Sequence, residues 1–198
     1  IKPENLSHIE AASVPLAGLT AWQALVTKGN IKQGDKVLIH AGSGGVGTLA
    51  IQIAKHFGAT VATTTSSKNI ELVKSLGADL IIDYTTQSFE DKLSDYDLVF
   101  DMIGGDVLAK SFKVLKKGGT LISIKGQDTE DLAKKYGVNF EWFFMSPDGA
   151  MLTELVTLIS QGTIKTVIDS TYPMEQASEA FGKLAEGRTK GKIVLTIK

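Results

Sequence analysis

"HAGSGGVGTLAIQIAKHFGA", residues 40–59, decides the fold. A short apolar run ends there, a burst of glycines follows, and an apolar pattern at helical spacing takes over. Gly42, Gly44 and Gly47 satisfy G-x-G-x-x-G between a strand and a helix, the context in which that spacing has a mechanism. The first glycine permits a tight turn, the second lets backbone approach a pyrophosphate, and the third lets the helix pack close on the strand. The helix N-terminus adds free N–H groups and a positive dipole end. An ordinary glycine-rich turn is the competing reading, and the flanking pattern argues against it.

Outward from this stretch, short β-rich runs alternate with amphipathic ones. "KVLIHA" (36–41) reads as a buried strand, and "GTLAIQIAKHFGA" as a helix closed by Gly58. "TVATTT" (60–65) is a β-branched strand, "NIELVKSLGA" a helix ending at Gly77, and "LIIDY" (80–84) a third strand. "YDLVFDMIG" (96–104) is a fourth, "DVLAKSFKVLKKGG" a helix with Asp106 as N-cap, and "TLISIKG" (120–126) a fifth. After a polar loop, "NFEWFFM" (139–145) reads as a sixth strand, followed by the helix "GAMLTELVTLISQG". The alternation predicts βαβ crossovers, hence an α/β fold with a doubly wound parallel Rossmann sheet. The last thirty residues read as strand, helix and strand and are expected to lie outside that sheet. "LAGLTAWQAL" reads as a helix that precedes it.

The 198 residues suffice for a full hydrophobic core, with 43% hydrophobic and 22% charged residues. No apolar run approaches the roughly 18 residues of a membrane span, and a soluble protein is expected. The formal net charge of −1 disfavours nucleic acid or an anionic membrane as partner, so any anion site is local. The absence of cysteine removes disulfides and thiolate metal ligands and fits a reducing, cytoplasmic setting. The chain opens on Ile1 with no charged-then-apolar leader pattern, so a piece of a longer protein without a secretory signal is expected.

The end of the second strand discriminates between dinucleotides. A site for NAD carries Asp or Glu about 20 residues after the glycines, to accept from the ribose 2′-hydroxyl. Here that stretch is "TTTSSKN", residues 63–69, which offers hydroxyls and the Lys68 ammonium and no acid. This chemistry suits a 2′-phosphate and favours NADPH over NADH. A solvated lysine at a helix start is the alternative for Lys68 alone.

"AGSGGVG" (41–47), "SLGAD" (75–79), "IDY" (82–84), "KKGG" (116–119) and "GKIVL" (191–195), in this order, resemble the medium-chain dehydrogenase/reductase superfamily, in its zinc-independent quinone oxidoreductase branch. The resemblance spans essentially the whole chain. It implies that residues 1–17 are the exit of a largely missing catalytic domain, 18–168 an NADP-binding Rossmann domain, and 169–198 a segment returning to the catalytic domain. It also implies which residues hold the cofactor: Ser43, Gly44, Gly45 and Val46 on the pyrophosphate, Thr20 beside the nicotinamide ribose, and Ser66 and Tyr84 around the 2′-phosphate and adenosine. The family's lysine there aligns nearer Asn69, with Lys68 one residue early, and which of the two meets the phosphate stays open. Ile103, Gly104 and Gly126 would line the cleft by backbone. Phe143 and Phe144 match the loop facing the carboxamide, or are core or a dimer edge; Lys192 resembles a lysine near the nicotinamide, or is a surface residue. Zinc-dependent relatives carry a cysteine where Leu16 stands, and leucine cannot ligate zinc; with His8, His40 and His56 read as core or surface, no metal is expected.

The implied activity is hydride transfer from NADPH to a quinone or enone in the parent enzyme. The alternatives are an enoyl or alkenal reductase of the same superfamily, or a crystallin-like or sensor protein that binds NADPH without turnover. No catalytic residue stands out: Glu90 and Asp91 read as helix surface, and Asp101 as a cap for loop amides. The resemblance also implies a homodimer, since in relatives the sixth-strand edge pairs across two copies to extend the sheet, and an exposed apolar edge would otherwise be a liability.

Overall fold

The computed structural model describes residues 2–125 and 129–197. Six strands, β1 (Lys36–Ile39), β2 (Thr60–Thr65), β3 (Leu80–Asp83), β4 (Tyr96–Asp101), β5 (Leu115–Ser123) and β6 (Asn139–Trp142), form one sheet. Their order is β3-β2-β1-β4-β5-β6, and every neighbouring pair is parallel. This is the doubly wound order, with the winding direction reversing between β1 and β4. Among the described residues seven α-helices accompany it: α1 (His8–Ser13), α2 (Pro15–Trp22), α3 (Gly47–His56), α4 (Ile70–Ser75), α5 (Gly105–Ser111), α6 (Glu130–Tyr136) and α7 (Gly149–Ser160).

The central strands are apolar without a break because both faces are covered. Val37 and Ile39 of β1 join Leu98 and Phe100 of β4 in a core that also holds Leu25, Ile51, Ile53 and Leu155. Leu38 and Val99, one residue out of phase, point to the other face with Leu108, Phe112 and Leu121. Beyond α7, β7 (Ile168–Pro173), α8 (Ala177–Ala185) and β8 (Lys192–Thr196) follow, and β7 and β8 pair in parallel as a separate two-stranded sheet.

Several boundaries differ from the sequence reading, each for a local reason. "KKGG" belongs to β5, not to the helix before it. α5 stops at Ser111, a 3₁₀ turn covers Phe112–Val114, Lys116 forms an ion pair with Asp97 at the edge of β4, and Gly118 takes φ +76°, which no α-helix accepts. Gly104, not Asp106, is the N-cap of α5, and Asp106 sits in its first turn. β3 ends at Asp83, leaving Tyr84 exposed, and β6 ends at Trp142, after which Phe143 turns inward and Phe144 outward. The polar loop after β5 contains α6, whose first-turn acids, terminal lysines and left-handed Gly137 supply the ends that its composition hides. The predicted helix "LAGLTAWQAL" starts at Pro15 and passes at Gln23 into a π-helical turn that runs to Lys28.

Candidate functional site

The C-terminal ends of β1, β2, β3 and β4 deliver His40, Ser66, Tyr84 and Ile103 to one cleft of about 820 Å³. It lies at the reversal of strand order, where open α/β sheets bind ligands.

One wall is the glycine turn between β1 and α3. Its single left-handed residue is Ala41, at φ +52°, so the turn's handedness does not fall on a glycine. The glycines are needed for space. A Cβ on Gly42 would stand 2.0 Å from Thr63 Oγ1, and one on Gly47 would stand 2.3 Å from the Ala41 carbonyl. Both approaches are closer than any side chain tolerates, so Gly42 lies directly against the Thr63 side chain of β2 and Gly47 directly against the backbone of the turn. Ser43 is the turn's chemical group. Its hydroxyl oxygen accepts from Thr65 Oγ1 and from Asn69 Nδ2, each at 3.0 Å. With both lone pairs engaged, its own proton is left to donate into the cleft.

The second wall is the loop 66–69 after β2. It carries no acid, as its sequence predicts. The nearest carboxylate is Asp83 at the end of β3, and three donors occupy it: Thr85 N at 3.0 Å, Thr85 Oγ1 at 2.7 Å, and the Ser67 hydroxyl. The Ser67 and Thr85 hydroxyls hold its carboxyl below the usual range, so it stays an anion that braces the loop. Lys68 is exposed on the loop, while Asn69 turns inward and its Oδ1 is buried with no partner among the described residues. Two neighbours thus divide the work of this segment.

The other walls come from β4, α5 and the C-terminal segment. Asp101, fully buried, accepts from Ile103 N (3.1 Å), Gly104 N (3.1 Å) and Ser123 Oγ (2.8 Å), and so caps the loop amides as its sequence position suggests. Glu90 departs from the sequence reading: it lines the cleft and pairs with Lys110 at 2.6 Å, so it is not a helix-surface acid. Burial raises its pKa, and the Lys110 ammonium more than offsets this, holding the carboxyl below its usual range. The loop 187–190 closes the far side, bringing the exposed Arg188 and Lys190 to the cleft. It is held there by backbone: Gly191 N donates to Ser43 O at 2.9 Å, and Gly44 and Gly191 form an isolated parallel bridge.

Of the residues expected at the site, Ser43, Gly44, Ser66, Lys68, Asn69, Tyr84 and Ile103 line this cleft together. Gly45, Val46 and Gly104 belong to the same two turns without lining it. Lys192 lays its stem over Gly45, where a Cβ would stand 2.7 Å from its Cδ. Thr20 is buried in α2 and donates to Leu16 O at 2.7 Å, leaving its oxygen to accept. Phe143 is buried beneath the Lys28 ammonium, 5.4 Å from its ring centre, and Phe144 is 83% exposed; neither lines the cleft. Gly126 lies outside the described residues. Sequence reasoning missed His40, Glu90, Arg188 and Lys190 as cleft residues. For the last two, the basic run "GRTKGK" was a signal, but nothing local says that it folds back over the glycine turn.

Residues 76–195 match the family described as zinc-binding dehydrogenase. The chain belongs to this family, within the medium-chain dehydrogenase/reductase superfamily. It is 41% identical to a 2-methylene-furan-3-one reductase of Solanum lycopersicum, over 98% of this chain and 48% of that one. It is 39% identical to a chloroplastic NADPH-dependent alkenal/one oxidoreductase of Arabidopsis thaliana, over 98% of this chain and 49% of that one. Its fold superposes on a quinone oxidoreductase of Coxiella burnetii with a TM-score of 0.95 at 38% identity, covering all of this chain and 63% of that one. The chain thus spans about half the length of these curated relatives. The family's description names zinc, yet among the described residues no three His, Cys, Asp or Glu side chains come together to hold a metal. No described helix is long and apolar enough to cross a membrane.

Proposed function

We propose that this chain is the NADPH-binding part of an oxidoreductase that transfers hydride to a quinone or to the β-carbon of an enone. The observation that carries the reading is the cleft itself. A glycine turn with one free hydroxyl proton at Ser43 faces a loop that offers Lys68 and Ser66 and no free carboxylate. The names of the tomato and Arabidopsis relatives and of the Coxiella structure point to the same substrate classes.

In this reading Ser43 and the amides of the turn hold the pyrophosphate, with α3's N-terminus behind them. Of the two candidates Lys68, not the inward-turned Asn69, holds the 2′-phosphate together with Ser66, and Tyr84 and Ile103 flank the adenosine. Thr20 meets the nicotinamide ribose, the backbone at Phe143 and Phe144 meets the carboxamide, and Lys192 stands near the nicotinamide. NADPH, when bound, supplies the hydride from C4 of its nicotinamide. The residues of this chain orient it and hold its charge, and the groups that bind the organic substrate belong to the missing catalytic domain. Residues 1–17 and 169–198 are the exit from and return to that domain, and 18–168 the cofactor domain. The exposed edge of β6, with Trp142 half exposed, pairs two copies into a homodimer, and the cytoplasm is the expected compartment.

The test is a titration of the purified chain with NADPH and with NADH, read by nicotinamide fluorescence, beside Lys68→Ala. NADPH is expected to bind more tightly, and the preference to shrink by roughly 10-fold in the variant, the loss of one charge-assisted hydrogen bond. Equal affinities in the unsubstituted chain would refute the 2′-phosphate assignment.

A further inference from the structure

His40 is the one histidine that folding places in the cleft wall, and none of the roles above uses it. It closes β1, is 1% exposed, and rests edge-on against Phe89 with ring centres 4.6 Å apart. Both ring nitrogens have partners: Nδ1 lies 3.1 Å from Thr64 Oγ1 and Nε2 lies 2.9 Å from Ser111 Oγ.

The network fixes every proton in it. Ser111 Oγ spends its proton on the Val107 carbonyl at 2.7 Å, so it accepts from His40, and Nε2 carries the hydrogen. Nδ1 is then an acceptor, and Thr64 Oγ1 donates to it. The Thr64 oxygen in turn accepts from the Ala41 amide at 3.1 Å. A directed chain therefore runs from the Ala41 N–H through Thr64 and a neutral His40 to Ser111 and the Val107 carbonyl of α5. Burial, which pushes the imidazole down to about 4, keeps it neutral.

The near end of this chain grips the glycine turn where it is least comfortable. Ala41 stands at φ +52°, a region costly for a residue with a Cβ. Thr64 holds it twice over: the hydroxyl takes the Ala41 amide, and the Thr64 carbonyl takes the Gly42 amide at 3.0 Å. The Ala41 carbonyl then accepts from Gly44 N at 2.9 Å, which closes the turn over the next residues. Without His40 the Thr64 hydroxyl could rotate away from the Ala41 amide. A buried polar network of this kind contributes little net stability, since an apolar side chain would fill the space at no desolvation cost; what it contributes is one fixed geometry.

We propose that His40 is a positioning residue for the dinucleotide: through Thr64 and Ser111 it locks the glycine turn in the conformation that receives the pyrophosphate. The proposal takes its ligand from the NADPH reading above, but the lock itself is a property of the unliganded chain.

Two variants separate positioning from bulk. His40→Gln places a carbonyl oxygen toward Thr64 and an NH₂ toward Ser111, reproducing one acceptor and one donor; His40→Leu fills the space and offers neither. Two ligands separate the turn from the rest of the cleft: NADPH, and adenosine 2′-monophosphate, which has no 5′-phosphates for the turn to hold. His40→Leu is expected to bind NADPH about 10-fold more weakly while keeping its affinity for adenosine 2′-monophosphate, and His40→Gln to restore NADPH binding. Equal loss of both ligands, or unchanged NADPH binding, in a folded His40→Leu overturns the proposal. Should that variant not fold, Thr64→Val, which cuts the same chain one step nearer the turn, decides by the same criteria. Amide exchange at Ala41, followed by NMR without ligand, tests the lock independently. It should quicken about 10-fold in His40→Leu and not in His40→Gln, and no change there overturns the proposal whatever binds. If the unsubstituted chain binds neither ligand while Ala41 exchange responds as expected, the NADPH reading falls and the lock stands.

Discussion

Gly47→Ala sets two physical effects of opposite sign against each other. Gly47 is the first residue of α3, where alanine is intrinsically better than glycine by about 0.5–1 kcal/mol. Its backbone has φ below zero, so a side chain is not excluded by conformation. Against this, the new Cβ would meet only backbone: the Ala41 carbonyl oxygen at 2.3 Å, Gly42 Cα at 2.7 Å and Gly42 C at 2.9 Å. None of these atoms can swing aside as the end of a flexible side chain would. Relief requires the whole turn to move, at about 1–3 kcal/mol for overpacking. The Gly44-to-Ala41 bond of 2.9 Å and the Gly42-to-Thr64 bond of 3.0 Å then stretch, at about 1 kcal/mol each. The steric cost wins, for a net loss of roughly 2–4.5 kcal/mol, within what a domain of ordinary stability survives. Urea unfolding followed by circular dichroism should show a lower midpoint with unchanged slope, and NADPH binding should fail even where the chain is fully folded. A variant as stable as the parent chain, or one that is destabilised yet binds NADPH normally, would refute the account of why a glycine stands there.

The buried His40 also makes stability depend on pH. Its folded pKa of about 4 lies below its unfolded value of 6.5, so the unfolded chain binds the extra proton between those values. Stability is therefore fully present above pH 6.5 and falls as pH drops toward 4, by about 3 kcal/mol. His40→Gln should reduce the slope of that segment of the profile in urea titrations, leaving the losses that begin toward its acid end, where depressed carboxylates such as Glu90, Asp79, Asp83, Asp97 and Asp169 take up protons. At the sheet edge, light scattering should report a dimer at micromolar concentration and a monomer for Trp142→Lys, which puts a charge on the half-exposed edge of β6; a parent chain that is monomeric at high micromolar concentration would count against pairing through that edge.

The parts of the fold legible in the sequence were those whose cause is local or periodic. The β-branched run Thr60–Thr65 is a strand with those limits, and Gly42 lies between β1 and α3 while Gly47 opens α3, as the spacing required. What the sequence hid depends on contacts between distant segments. "KKGG" follows a helix and looks like its frayed end. It becomes strand because β5 pairs with β4 on either side of it, Leu115 with Tyr96 and Thr120 with Leu98, a pairing that exists only once β4 and β5 are neighbours. Glu90 reads as one of two adjacent surface acids, and only the arrival of Lys110 on α5 turns it into the cleft. His40 reads as core or surface, and it is core; its proton chain needs Thr64 and Ser111, 24 and 71 residues away. The loss of Asn69 to an inward hydrogen bond, with Lys68 left outward, is likewise decided by where the Ser43 hydroxyl comes to rest.

Charge distribution explains how a chain of net charge −1 offers a site for a polyanion. Among the described residues four cations line the cleft, Lys68, Lys110, Arg188 and Lys190, against two carboxylates, Glu90 and Asp106. The pairing of Glu90 with Lys110 leaves the other three cations to face a ligand. Asp83, close by, has its acceptors filled by Ser67 and Thr85, and His40 is kept neutral by burial. A phosphate monoester brings close to two negative charges at neutral pH and a pyrophosphate brings more, so a site of this sign is one they enter without paying to displace an anion. Two of these three cations come from the loop that Gly191 pins to Ser43. The small parallel sheet at the C-terminus is therefore part of the site's electrostatics: if the bridge between Gly44 and Gly191 opened, the glycine turn would keep its shape but lose most of the charge that makes it attractive to phosphate.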